Sequence, residues 1–568
     1  MTVLNKLELK RKSLLRRANS LYHQSKQVSI HNWRLSKMPG FRRLLAKISS
    51  GVEVSSSDLL PYISREDLKS RHEVNYMLAE AFNRAGNYEQ AKVFIRRIWI
   101  FSRFDEKYLS LFIKIHVGCG DIASIREAHK TLGLRAADEK KIVEALNHFN
   151  AWQYAYAVHN GVDEYHYDFE VLDRIALLAK PHSFPTKEQQ STKGRKIRLA
   201  YLMFGMTHVN SVIVKNTLTF AKYHDAAVFD VTFYIPEQES LISQRKESVD
   251  NINRIKALGW NVIVAPGSTS EEESLIDLAR LIYEYNADIL ITNAALADMW
   301  HYFITSLRPA PQVIGLCQGP PPQYIAPDFD WSISWTKHPL LDCPTDCSLV
   351  SGGVALPERK YSREESKSWF GIPNENLVVM SCGRQSKFLD VNFWIAIIDL
   401  IRSYPNVYYV AVGLVDGAPA FLSELLTVNV VDRIKIIGWE KDFLKVLCMA
   451  DIVVDTYPSG GGVSIIDAMA LGTPVISFKN NYMKVFSQTE WSPAEEFMDM
   501  PELMVERGDF EEFNKVLSKL IIDQKYRESM SELCKARINE TSGSPEKMVK
   551  DCEQVYLRVI KKSVLVAT

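Results

Sequence analysis

Short apolar runs alternate with helical stretches over the C-terminal two-thirds of the chain, and this alternation restricts the possible folds more than any other feature. It starts at residue 196 and restarts at residue 377. The rhythm of strand, helix and strand is typical of a doubly wound parallel sheet. The strand-like runs are 196–204, 229–235, 262–265, 288–292 and 312–316, followed by 377–381, 407–412, 434–437, 452–455 and 474–478. The sequence therefore predicts an α/β fold with two Rossmann-like domains facing a cleft, residues 196–357 and residues 358–568, the second including closing helices.

An all-α helical-repeat domain is predicted in front of them, over residues 1–180. A tetratricopeptide pattern surrounds Leu78, which would pack one helix, and Gly86, which would turn the chain. A shift of about 34 residues, the period of that repeat, places Gly120 under Gly86. Such units leave an apolar face that a neighbour must cover, so the domain is either a platform for an acceptor or partner protein, or a packing or oligomerisation module. Residues 181–195, with Pro, Ser, Thr, Gln and Lys, are predicted to be a linker.

Charge and cysteine content limit the classes of partner and the compartment. The 568 residues carry 68 basic and 68 acidic side chains, which gives no electrostatic reason to expect a nucleic-acid partner. The eight cysteines lack the close Cys and His spacing of a zinc site and are expected to be reduced thiols of a cytosolic protein. The N-terminus lacks the apolar segment of a secretory signal, and no run reaches the roughly twenty apolar residues of a membrane helix. A cytoplasmic location is therefore predicted, although the basic N-terminus would also suit peripheral contact with an anionic membrane surface.

A glycine-rich segment between residues 455 and 477 carries the strongest chemical signal. It runs from a strand through a turn into a helix, and its glycines leave the backbone uncovered where that helix starts. Free N–H groups and the helix dipole at such a start favour a diphosphate. An aspartate one to two turns into the helix is placed to accept hydrogen bonds from a ribose diol. The expected donor-binding residues here are Ser459, Gly460, Gly461, Gly462, Val463 and Asp467.

A second group of polar residues follows the first strand of the same domain. Arg384 and Lys387 would project from the carboxyl end of that strand into the cleft. A cation in this place would neutralise a nucleoside diphosphate as it leaves, which stabilises charge in the transition state. Lys387 is therefore a candidate catalytic residue and Arg384 a candidate donor contact.

These segments resemble the family that contains the eukaryotic protein O-GlcNAc transferase and the bacterial cytoplasmic adhesin N-glucosyltransferases. The resemblance covers residues 196–537 and includes the proline-containing stretches 307–315 and 318–330. Gln385 and Lys387 fall where that family places its glutamine and its diphosphate-binding lysine, and Asp467 falls on its ribose-binding aspartate. The resemblance implies a GT-B fold and a donor that is a nucleotide-sugar, with uridine as the nucleobase.

Two stretches are equally similar to retaining lipopolysaccharide-type transferases of the same fold. They are the Gly-Arg-x-x-Lys pattern at 383–387 and the Asp-Ala-Met-Ala-Leu-Gly-Thr-Pro segment at 467–474. The stereochemistry and the acceptor therefore stay open. A glycosyltransferase acting on a protein in the cytoplasm is the first hypothesis, and a transferase of cell-surface polysaccharide or lipid-linked glycan is the second. A non-catalytic repeat scaffold is the third, and the intact glycine-rich segment argues against it.

An inverting transfer would need a group that takes a proton from the acceptor. His208 follows the first strand of the first Rossmann-like domain, in the loop facing the cleft, and the resemblance places a histidine close to this point. Asp328 and Asp330 match the metal-binding Asp-x-Asp pattern of another transferase fold, but they lead directly into a strand-like run. The sequence therefore predicts His208 as a catalytic residue beside Lys387, no metal, and no cofactor other than the nucleotide-sugar co-substrate.

Overall fold

The chain forms two compact units, residues 1–160 and 161–568. The computed structural model describes residues 39–63, 68–159, 167–185, 187, 193–203, 212–317, 324–337, 343–415, 417–419, 421–426, 428–479 and 493–567. No helix in these ranges is both long enough and apolar enough to cross a membrane.

The N-terminal unit consists of helices. They are α1 (Pro39–Ser49), α2 (Ser56–Ile63), α3 (Leu68–Arg84), α4 (Tyr88–Phe101), α5 (Leu109–Gly118), α6 (Ile122–Asp138), α7 (Ile142–Gln153) and α8 (Ala155–His159), with a 3₁₀ turn at Glu106–Tyr108. Gly86 and Gly120 have φ of +73° and +68°, a backbone conformation that favours glycine, and each turns the chain between two helices. The predicted helix–turn–helix units are therefore present, and Leu78 is fully buried between them.

The second unit begins with a helix and continues into a seven-stranded parallel sheet. The helices are α9 (Phe169–Ala179), α10 (Val212–Tyr223), α11 (Glu239–Ser243), α12 (Lys246–Ala257), α13 (Glu271–Tyr285) and α14 (Met299–Ser306). The strands are β1 (Ile197–Leu202), β2 (Phe229–Gln238), β3 (Asn261–Ala265), β4 (Ile289–Thr292), β5 (Gln312–Cys317), β6 (Trp331–Ser334) and β7 (Cys347–Leu349). Their order is β3-β2-β1-β4-β5-β6-β7, which is the doubly wound arrangement predicted from the sequence.

A second parallel sheet follows, in the order β10-β9-β8-β11-β12-β13. Its strands are β8 (Leu377–Cys382), β9 (Val407–Val412), β10 (Ile434–Ile437), β11 (Ile452–Val454), β12 (Val475–Phe478) and β13 (Met504–Val505). The helices are α15 (Arg363–Trp369), α16 (Val391–Ser403), α17 (Leu422–Leu425), α18 (Val428–Val431), α19 (Phe443–Leu447), α20 (Val463–Ala470), α21 (Pro493–Phe497), α22 (Phe510–Ile522), α23 (Gln524–Ser542) and α24 (Pro545–Ala567). The prediction of two Rossmann-like domains in a GT-B arrangement is confirmed.

Two helices lie in other domains than the sequence suggested. Helix α9, expected in the repeat domain that would end at residue 180, belongs to the second unit and packs on α14. Helix α24, expected with residues 358–568, packs on the first sheet, where Val549, Cys552 and Tyr556 are fully buried. Both helices are amphipathic, and an apolar stripe packs on whichever surface the chain brings to it.

Candidate active site

The glycine-rich loop leaves the carboxyl end of β11 and enters α20. Asp455, directly after β11, is 4% exposed, and its carboxylate accepts hydrogen bonds from the backbone of this loop. Its Oδ1 accepts hydrogen bonds from the backbone N–H of Gly461 at 2.7 Å and of Thr456 at 2.9 Å. The hydroxyl of Ser477, on the neighbouring strand β12, donates to Oδ2 at 2.7 Å. Burial raises the pKa of the Asp455 carboxyl, and the Ser477 hydrogen bond opposes that rise.

The N-terminus of α20 is built to expose backbone donors. Gly462 starts the helix without any side-chain cap, so the first-turn N–H groups have no side-chain partner from that residue. A Cβ on Gly461 would lie 2.6 Å from the Ser464 hydroxyl, so the loop is closely packed at this glycine. The carbonyl of Ser459 accepts from the Thr456 hydroxyl at 2.8 Å, which fixes the preceding turn. An uncapped helix start beside bare glycine backbone is an anion-binding arrangement.

Lys387 lies against this loop from the neighbouring strand. It is part of a 3₁₀ turn, Gln385–Phe388, that follows β8. Its ammonium group donates a hydrogen bond to the carbonyl of Gly460. Strands β8 and β11 are adjacent in the sheet, which is why a lysine and a glycine loop so far apart in sequence meet at one edge.

Gln385 of the same turn and Arg384 just before it were predicted as donor contacts. Gln385 donates through Nε2 to the carbonyl of Gly417 at 3.1 Å, while its buried Oε1 has no hydrogen-bond partner among the described residues. Arg384 is exposed to solvent and precedes the turn in extended backbone. The structure thus brings Lys387 to the loop directly, whereas the hydrogen bond of Gln385 is to Gly417, outside that loop.

The path of the Lys387 turn depends on a close approach between two glycines. Gly413, after β9, has φ of +101°, and a Cβ there would lie 2.0 Å from the carbonyl oxygen of Gly383. Only glycine fits this position without moving the 383–387 segment.

Asp467 lies on α20, one helix turn beyond the loop, and is 6% exposed. Burial raises the pKa of its carboxyl to about 6, and the ammonium of Lys215 on α10 opposes the rise. Lys215 belongs to the first Rossmann-like domain, so a charge of that domain acts on this carboxylate. Cys382, at the end of β8, is unsuited to act as a nucleophile because burial raises the pKa of its thiol to about 12.

Sequence reasoning missed the roles of Asp455, Lys215 and Gly413. Asp455 is the last residue of the strand-like run 452–455, at the start of the glycine-rich segment. An acidic residue in that position was the signal by which the sequence could have indicated its role. The charge effect of Lys215 on Asp467 and the close approach of Gly413 to Gly383 each involve residues apart in the sequence. His208 lies outside the described residues, so its predicted role stays a prediction.

In the Asp-x-Asp pattern, Asp330 forms contacts that connect two neighbouring strands. The Asp330 carboxylate accepts from the backbone N–H of Val313 at 2.7 Å and pairs with Arg308 at 2.7 Å. Burial raises the pKa of the Asp328 carboxyl. Asp330 therefore ties the start of β6 to β5.

Comparison with known proteins gives one family match and several similar structures. Residues 376–523 match the family model described as "Glycosyl transferases group 1". A mutant of the Thermobaculum terrenum O-GlcNAc transferase has 15% sequence identity and a TM-score of 0.57, over 93% of this chain and 99% of that one. A glycosyltransferase from Rickettsia africae ESF-5 has 14% identity and a TM-score of 0.48, over 64% of this chain and 99% of that one. The Anabaena protein HepE in complex with UDP-glucose has 14% identity and a TM-score of 0.47, over 63% and 99%. No curated protein sequence matches the chain.

Proposed function

We propose that this chain transfers a sugar from a UDP-sugar to a protein in the cytoplasm. The chain is a nucleotide-sugar glycosyltransferase with a group 1 glycosyltransferase domain at residues 376–523 and a GT-B fold. The observation that carries the proposal is the contact of the Lys387 ammonium with Gly460 at the uncapped start of α20. One cation and a row of backbone donors meet there, as a diphosphate requires.

The chemistry follows from where charge develops. As the bond between sugar and diphosphate breaks, negative charge grows on the leaving phosphate oxygens. A positioned ammonium and helix-terminal N–H groups stabilise that charge more in the transition state than in the bound donor. Asp467, with a pKa raised to about 6, is ionised at pH 7 and is proposed to accept hydrogen bonds from the ribose diol. His208, which lies outside the described residues, is proposed to take the acceptor proton.

The N-terminal helical unit supports the proposal that the acceptor is a protein. Its consecutive helix–turn–helix units, α3–α4 and α5–α6, are of the kind that stack into extended surfaces for partner proteins. The Thermobaculum terrenum O-GlcNAc transferase structure is similar over 93% of this chain. A surface polysaccharide or a lipid-linked glycan is the alternative acceptor class, and the experiment below separates it from protein.

Purified full-length protein would be incubated with labelled UDP-, GDP- and ADP-sugars and a lysate of cells that lack this gene. We expect label from a UDP-sugar in bands that protease treatment removes. Label in protease-resistant glycan or in lipid would overturn the protein acceptor while keeping the transferase. No transfer and no donor hydrolysis with any nucleotide-sugar would overturn the transferase itself.

The first variant to measure is Lys387→Ala. Removal of one group that stabilises transition-state charge typically lowers kcat by about 10²–10³-fold. Lys525→Ala is the matched control, because Lys525 is exposed on α23 in the same domain and the substitution removes the same charge. Equal turnover by the two variants would show that Lys387 does not contact the leaving group.

A further inference from the structure

Three potential metal ligands meet within the N-terminal helical unit. One oxygen of Glu106, one oxygen of Glu144 and one ring nitrogen of His148 all lie within 4.8 Å of one another. Glu106 begins the 3₁₀ turn between α4 and α5, and the other two lie on α7. Residues four apart share one face of a helix, so α7 presents a carboxylate and an imidazole side by side towards that turn.

The histidine of this group is buried, and a second histidine contacts one of its ring nitrogens. Its side chain is 8% exposed, and its Nδ1 lies 3.2 Å from Nδ1 of His129 on α6, which is also buried. The other ring nitrogen, Nε2, lies 3.7 Å from Oε1 of Glu106, which is beyond hydrogen-bond distance, and it makes no hydrogen bond to any described residue. An imidazole that is hydrogen-bonded through one nitrogen and open at the other is the arrangement of metal-ligating histidines.

The spacing and the ligand chemistry fit zinc. Zn²⁺ binds nitrogen and oxygen at about 2.0–2.2 Å in a tetrahedron, which places ligand atoms about 3.4 Å apart. The Nε2–Oε1 distance of 3.7 Å is close to this value, and both glutamate side chains are 43% exposed and can turn inwards. A mixed set of imidazole and carboxylates favours Zn²⁺ over Mg²⁺ or Ca²⁺, which prefer oxygen alone. Water would take the fourth position.

Two cations lie near this place among the described residues, Arg135 and Lys141. Arg135, whose charge acts on His148, donates hydrogen bonds to the carbonyls of Arg103 and Phe104. The ammonium of Lys141 lies 3.7 Å from Glu144 and 2.6 Å from Glu139. The closer partner remains when Glu144 turns towards a metal ion, so the lysine keeps its ion pair.

We propose that Glu106, Glu144 and His148 bind one Zn²⁺, with His129 as the positioning residue that orients the imidazole. The ion would clamp the turn between α4 and α5 to α7, and thus join successive helical hairpins. Binding to the folded unit alone stabilises it by mass action, so the unfolding temperature rises with zinc concentration.

The test uses the full-length chain without an affinity tag, stripped with a chelator and dialysed. Zinc affinity and stoichiometry would be measured by titration calorimetry, and bound metal by mass spectrometry. The variants are Glu106→Gln and Glu144→Gln, which keep shape and remove a charged ligand, with Glu127→Gln as the control, because Glu127 is an exposed acid on α6. Co²⁺ as a probe would report tetrahedral coordination through its visible absorption.

We expect one zinc ion per chain. Each of Glu106→Gln and Glu144→Gln should weaken binding by at least about tenfold, since even outer partners of a metal ligand change affinity about 10–100-fold. Glu127→Gln should change it by less than about twofold, and unchanged far-ultraviolet circular dichroism would show that all variants fold. Absence of stoichiometric zinc, unchanged affinity in either ligand variant, or an equal loss in the control would overturn the proposal.

Discussion

Replacement of Asp455 by asparagine should weaken nucleotide binding, whereas the same replacement of Asp451, at the other end of strand β11, should leave it intact. Both side chains are buried, at 4% and 6% exposure, so the two substitutions perturb comparable environments. Asp455 stands at the carboxyl end of the strand and holds the glycine-rich loop, while Asp451 stands at its amino end. Comparison of the two substitutions therefore distinguishes a residue that stabilises the nucleotide-binding loop from one that stabilises the fold.

The magnitude follows from the hydrogen bonds that each carboxylate accepts. Oδ1 of Asp455 accepts from the N–H groups of Gly461 and Thr456. A hydrogen bond to an ionised group contributes about 1.5–3 kcal/mol and a neutral one about 0.5–1.5, so asparagine weakens each bond by about 1 kcal/mol. The total of about 2 kcal/mol acts on the loop, and it lowers the binding-competent population by up to about 30-fold. The Kd of UDP should rise by up to the same factor.

Asp451 supplies the control. Its Oδ2 accepts from the backbone N–H of Val378 at 2.8 Å and lies 3.1 Å from the ammonium of Lys367, and its Oδ1 lies 3.1 Å from Arg363. Asp451→Asn should lower the free energy of unfolding by at least about as much as Asp455→Asn, because it weakens a buried ion pair with Lys367 and a partly exposed one with Arg363. Its Kd for UDP should stay within about twofold of the unsubstituted chain, since no loop contact changes.

Titration calorimetry with UDP and urea denaturation measure the two quantities independently of which sugar is transferred. An unchanged Kd for Asp455→Asn would refute the assignment of Asp455 to the loop. An equal rise in Kd for both variants would show that general destabilisation, and not loss of the loop contacts, controls nucleotide binding.

Two other substitutions test the same site. Because burial raises the pKa of Asp467 to about 6, the folded state binds more protons than the unfolded chain between about pH 4 and 6, so this group should make the chain less stable as pH rises through that window. UDP affinity should fall as pH falls from 7 to 5, and Asp467→Asn should reduce both dependences, as urea denaturation and calorimetry at several pH values would report. Gly413→Ala should cost at least about 2 kcal/mol and weaken UDP binding, because its Cβ would displace the carbonyl of Gly383. Gly371→Ala, with φ of +66° and no atom within 4 Å of the new Cβ, should cost about 1 kcal/mol and leave UDP binding unchanged.

The sheet strands could be predicted because each is a continuous apolar run closed by a turn. The runs 407–412 and 434–437 coincide with β9 and β10, and the other predicted strands differ from the structure by a few residues at most. Strand β6 was noted only as a strand-like run after Asp330, and β7 was not predicted. Each has only three or four residues, and serines interrupt the apolar pattern that identifies a buried strand.

The site was predictable to the extent that it lies in one stretch of sequence. Residues 459–467 read as a loop and a helix start without any structure. The contact of Lys387 with Gly460 joins positions far apart; the strand order of an α/β sheet and the resemblance to a known family both placed them at one donor, but neither predicted this contact. The hydrogen bond from Ser477 to Asp455 and the group around His148 arise from tertiary packing, for which a single sequence carries no pattern.

The packing of the last helix, α24, also could not be predicted from the sequence alone. Its amphipathic pattern predicts that one face of α24 is buried, but not against which sheet. The Glu553 carboxylate accepts from the ring of His224 at 2.9 Å and from the N–H of Asp225 at 2.8 Å, and Tyr556 is hydrogen-bonded to Tyr201 at 2.9 Å. These buried polar contacts fix α24 on the first Rossmann-like domain.

Because α24 returns to the first sheet, the described chain crosses between the two Rossmann-like domains once after β7 and again before α24. The two crossings meet where Gly353 forms a bridge with Gly543, and the N–H of Val354 donates to the carbonyl of Ser542 at 2.9 Å. A Cβ on Gly353 would lie 2.6 Å from Met548, so the absence of a side chain allows this approach. Connections that run side by side leave the rest of the interface without a covalent tie. The two connections and the bridge between them therefore join the two Rossmann-like domains at one place.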